Sequence, residues 1–172
     1  MGRLAGAFFV PTLSAVVAVA LWYLPRIDPR RESYEAFRPF YDWFVNALLA
    51  FLAYTHELVL AINIGCSVPI NRAIAPALGA LYYGTGILMA HAEPNWFAGV
   101  RTPWTLEDDA VWEATHRRAA LALKLAGTVA LGAVVWPSSF LAFAVVPVLA
   151  AAAYAVGYSY LAYRRRTDET AT

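Results

Sequence analysis

Apolar positions fall into four long runs broken by short charged segments, and every run is long enough to cross a bilayer. Leu4 to Leu24 holds no charged residue and makes a helix of roughly 31 Å. A signal peptide has a shorter apolar region and a small-residue cleavage site, so this run reads as a retained span. Trp43 to Gly65 is interrupted only by His56 and Glu57, and Ala73 to Ala92 is bracketed by Arg72 and Glu93. Leu125 to Tyr163 is free of charge over about 58 Å of helix, too long for one crossing. Trp136-Pro137-Ser138-Ser139 is its obvious turn. The pattern predicts an all-α integral membrane bundle forming one domain. Its five spans are expected near 4–24, 43–65, 73–92, 118–136 and 140–163, with loops at 25–42 and 93–117.

Composition agrees. The chain is 60% hydrophobic and 15% charged, where a soluble domain carries about 25% charged residues. Thirteen Lys and Arg against twelve Asp and Glu leave a net charge of +1, so no basic field points to direct nucleic-acid binding. A single cysteine, Cys66, excludes an internal disulfide.

The basic residues set an expected orientation. Arg26, Arg30, Arg31, Arg38, Arg101, Arg117, Arg118, Arg164, Arg165 and Arg166 fall on one face, Arg3 and Arg72 on the other, and Lys124 within a span. Ten against two places the amino terminus outside and the carboxyl terminus in the cytoplasm of a multi-pass cell-membrane protein. Five of the six tryptophans (Trp22, Trp43, Trp96, Trp104 and Trp112) share the cytoplasmic side, with Trp136 opposite.

In the first loop, Pro25 and Pro29 around Asp28 are expected to stop the first helix. Tyr34, Phe37, Phe40, Tyr41 and Phe44 then recur at helical spacing. That face reads either as an interfacial helix on lipid headgroups or as a docking surface. In the third loop, Asn95, Trp96, Gly99, Arg101, Thr102, Pro103 and Trp104 suggest a fixed turn in which Arg101 lies over an indole. Thr105-Leu106-Glu107-Asp108 reads as a capping box opening a helix that carries Trp112, Thr115, His116 and Arg117 into the fourth span.

Inside the spans, Asn46 and Glu57 share a helix face, Tyr82 and Tyr83 lie at the level of Glu57, and Lys124 is expected to snorkel or meet Asn46. Together they suggest a polar seam facing the bundle interior, either structural or a ligand or proton site. His56-Glu57 is not a zinc motif, because Leu60 stands where the second His belongs. Gly157-Tyr158-Ser159-Tyr160-Leu161 lacks the last glycine of a nucleophile elbow. No metal, cofactor or enzymatic chemistry is expected.

The segment Asn95-Trp96-Phe97, Gly99-Val100-Arg101-Thr102-Pro103-Trp104-Thr105-Leu106, Val111-Trp112 and Thr115-His116-Arg117 resembles the signature of SdpI-like immunity and signal-transduction membrane proteins. Leu24 to Pro29 with Tyr34, Phe37 and Tyr41 is similar to the family's preceding loop. This chain carries Arg118-Ala119-Ala120 where members usually have glycines. Longer members have an extra amino-terminal span missing here, and adding it gives six spans with both ends inside. The resemblance implies neutralisation of a hydrophobic peptide toxin and sequestration of a cytoplasmic regulator. A small ion-coupled transporter using Glu57 and His56, and an accessory subunit of an oligomer or larger membrane complex, stay open as alternatives.

Overall fold

The computed structural model describes residues 3–170, with side chains described for 7–168. Ala171 and Thr172 of the tail, and the side chain of Arg3, lie outside the described residues. Every regular element among the described residues is helical: α1 (Arg3–Ile27), α2 (Arg31–Asn63), α3 (Ile70–His91), α4 (Pro103–Glu107), α5 (Asp109–Ala130), α6 (Gly132–Val135) and α7 (Val146–Thr170). Five stretches are long and apolar enough to cross a membrane: Ala7–Ile27, Arg31–Asn63, Ile70–His91, Asp109–Val135 and Leu141–Asp168. A 3-10 turn at Pro137–Ser139 and a widened turn at Leu141–Val145 reverse the chain into α7, and Asn71 Nδ2 donates to the Pro137 carbonyl across that end.

Pro25 does not stop α1, which runs on to Ile27. A proline lacks the N–H that bonds the carbonyl four residues earlier, here Leu21. The Tyr41 hydroxyl donates to that carbonyl at 2.6 Å, so a side chain of α2 repairs the helix and ties the two together. Pro39 sits inside α2, and the strain of its ring is taken up at Phe37, whose φ/ψ of −115°/16° is non-helical.

The aromatic face of the first loop turns inward. Tyr34, Phe37 and Tyr41 are buried against Leu88, Met89, Trp112 and Ala120, with Phe40 and Phe44 packed beside them. The expected interfacial helix on headgroups is thus corrected: the same three-and-four spacing that makes an amphipathic surface helix also makes a core-facing stripe when partners exist.

Helices α3 and α5 pack backbone against backbone. A Cβ on Gly79 would lie 2.8 Å from the Gly127 carbonyl oxygen, and one on Gly86 would lie 2.7 Å from that of Ala120. Glycine at these points lets the two backbones touch, which in lipid is what holds helices together.

Candidate functional site

The two loops interlock at one end of the bundle. Asp28 is buried; one carboxylate oxygen accepts the Arg30 amide at 2.7 Å and the other accepts the Trp96 amide at 2.9 Å. Asn95 is 1% exposed. Its Oδ1 accepts the Phe97 and Ala98 amides and the Tyr34 hydroxyl, and its Nδ2 donates to the carbonyls of Glu93 and Ala98. The Trp112 indole donates to the Ala92 carbonyl at 2.8 Å and stacks on His116, ring centroids 3.8 Å apart. His116 Nε2 accepts the Val100 amide at 3.0 Å, so Nδ1 carries the proton and donates to the Trp112 carbonyl. A ring used this way is neutral and fully occupied. Gly99, at φ +127°, lies against that ring, and a methyl there would strike Nε2.

Arg101 does not lie over an indole. Its guanidinium donates to the Trp96 carbonyl at 3.0 Å from an exposed position. The capping also shifts by one step. Thr102 caps α4 reciprocally with Thr105, Pro103 occupies the first turn, and Asp108 caps α5 by accepting the Ala110 and Val111 amides. Burial raises the Asp108 pKa, but the amides of Val111 and Ala110 and the Arg166 guanidinium outweigh it and hold the carboxyl below its usual value. Arg166 pairs with Asp108 at 2.6 Å, and Arg30 with Asp109 at 2.9 Å. Thr115 is buried, and among the described residues its Oγ1 has no hydrogen-bond partner. Pro29 and Arg117 are exposed.

Ser159, which no motif of the sequence singles out for this place, anchors α7 in the knot. It is 0% exposed, accepts from the Trp104 indole at 2.7 Å and from Thr102 Oγ1 at 3.3 Å, and donates to the Val156 carbonyl. The single serine of an Ala-rich helix was the available signal, since a small buried hydroxyl in lipid needs a partner.

The expected interior polar seam is not formed. Asn46 and Glu57 are exposed on α2, while His56 is half-buried with Nδ1 lacking a hydrogen bond among the described residues. Asn46 donates back to the Asp42 carbonyl, not to Lys124. Lys124 instead reaches Tyr83, 5.9 Å from its ring centroid, and Tyr82 is half-buried nearby in sequence. The reason lies in α2: its inward stripe is spent on Tyr34, Phe37 and Tyr41, and 46 and 57 continue the opposite face.

These features define a multi-pass helical membrane protein whose loop motif is a packed polar knot joining α2, α5 and α7. Residues 91–159, which carry the side of that knot from Asn95 through His116 to Ser159, match the SdpI/YfhL protein family. The chain is 35% identical over 91 residues to the immunity protein SdpI of Bacillus subtilis (strain 168), an alignment covering 48% of this chain and 44% of that protein. The chain is thus similar to SdpI-like membrane proteins over part of its length, and the alignment spans less than half of that relative. No solved structure matches the chain.

Proposed function

We propose that this chain is a non-enzymatic, immunity-type protein of the cell membrane, with its five helices acting as one membrane domain. In this reading it meets a hydrophobic peptide toxin from within the bilayer and presents its loop end to a cytoplasmic regulator. The observation that carries it is the likeness to SdpI over residues that build the packed knot. The outward face of α2 supplies a fitting surface: Trp43, Asn46, Ala50, Ala53, Glu57 and Leu60 are all exposed at helical spacing. Small residues flanked by polar ones favour close approach of another helix in lipid. At the loop end, Trp96 and Arg101 are exposed and offer contacts to a soluble partner.

Expression in cells sensitive to a secreted membrane-active peptide tests the reading. Wild type protects, and Ala50→Leu with Ala53→Leu loses protection at unchanged membrane level. Sensitivity equal to the empty vector, with the wild-type chain present in the membrane, defeats it.

A further inference from the structure

We propose that the seam between α3 and α5 holds one phospholipid with a zwitterionic, amine-bearing headgroup. Two hollows adjoin along this seam. The first, of about 610 Å³, lies at the loop end, and its polar lining includes Glu93, Asp109, Glu113, Arg117 and Lys124, with Asp109 already paired to Arg30. The second, of about 400 Å³, continues along the same two helices and is almost wholly apolar, with Tyr83 and Leu131 in its wall. Lys124 lines the first and Tyr83 the second, and the 5.9 Å approach of the ammonium to the ring joins them.

The order of charges selects the headgroup. Along α5, Glu113, Arg117 and Lys124 lie on one face, separated by roughly 6 and then 10 Å of helix rise. From the loop end inward the seam therefore offers carboxylates, then cations, then hydrocarbon. An ethanolamine phospholipid presents ammonium, then phosphate, then acyl chains in that same sequence. Beyond its approach to the Tyr83 ring, the Lys124 ammonium makes no hydrogen bond or ion pair among the described residues, although a cation at membrane depth needs a partner. Among the described residues the Glu93 carboxylate has no hydrogen bond or ion pair, and the Glu113–Arg117 pair is exposed and long at 3.9 Å, so both members are available. An anionic headgroup would meet Glu93 and Glu113 as like charges. An extended peptide would leave its backbone groups unsatisfied in the apolar hollow, whereas acyl chains have none.

The lipid site is independent of the immunity reading, because retention of lipid and protection of cells are measured separately. The test is native mass spectrometry of the purified full chain in detergent, titrated with phosphatidylethanolamine and, in parallel, with phosphatidylglycerol of identical acyl chains. The expected result is one saturable phosphatidylethanolamine per chain, held about tenfold less tightly in Lys124→Gln and retained in Lys124→Arg. Glu93→Gln combined with Glu113→Gln is expected to erase the preference over phosphatidylglycerol. Unchanged retention in Lys124→Gln, or equal binding of both lipids by wild type, overturns the proposal.

Discussion

Asn95 shows how a single amide can organise a loop. It accepts from Phe97, Ala98 and Tyr34 at 3.0, 2.6 and 3.2 Å and donates to Glu93 and Ala98 at 2.8 and 3.0 Å. Asn95→Asp is nearly isosteric, but it loses both donors and turns a buried carboxylate oxygen toward two carbonyls. We expect it to destabilise the chain by about 3 kcal/mol, the scale of breaking a buried charged or paired group. Tyr34→Phe, which removes one hydrogen bond, is expected to cost about 1 kcal/mol. Denaturant unfolding in detergent micelles measures both, and an Asn95→Asp variant as stable as wild type would show that the loop does not depend on this amide. The motif containing Asn95 was legible in the sequence, as was the need for glycine at 99. Its partner Tyr34 was not, because a contact across 61 positions leaves no periodic trace.

Among the elements, the five long apolar helices were legible because runs without charge have few other uses at these lengths. Their faces were harder. Tyr34, Phe37 and Tyr41 marked a stripe correctly, but periodicity states which residues share a face and not what covers it. The outward turn of Asn46 and Glu57 follows from that one assignment. Caps were ambiguous for a related reason: Thr102 with Thr105 and Thr105 with Asp108 have the same three-residue spacing, and only the pitch of the folded turn selects between them. The cap that forms has a pH consequence. Asp108 holds two amides of α5 and Arg166 of α7, with its pKa lowered in the folded chain. Its contribution is therefore complete above the ordinary carboxylate value and is lost as pH falls through the lowered one. Asp108→Asn keeps a capping oxygen but not the charge, so its stability is expected to vary less with acid pH than that of wild type. Asp108→Ala also loses the cap, at about 1 kcal/mol. Thermal unfolding between neutral and acid pH compares the three, and an identical acid response in Asp108→Asn would remove Asp108 as its source.

At the scale of the whole molecule, the decisive property is how the fold sorts charge between its two ends. The contacts Asp28 to Trp96, Arg30 to Asp109 and Asp108 to Arg166 draw the first loop, the third loop and the end of α7 together. The ten arginines of those segments thereby share one end, while Arg72 lies at the other, beside the turn where Asn71 meets Pro137. Basic residues are retained on the cytoplasmic side during insertion, so this sorting argues for the knot inside and the α2–α3 connection outside. Cys66 is exposed in that connection and is the chain's single cysteine, which makes it a ready reporter. In intact cells a membrane-impermeant thiol reagent is expected to label Cys66 in the wild-type chain. With Cys66→Ser and Glu107→Cys combined, labelling is expected only after permeabilisation, since Glu107 is exposed at the knot end. The reverse pattern would place the knot outside and with it withdraw the cytoplasmic regulator. Equal labelling of both positions in intact cells would mean that the two ends are not separated by a bilayer, and five spans could not then be the arrangement.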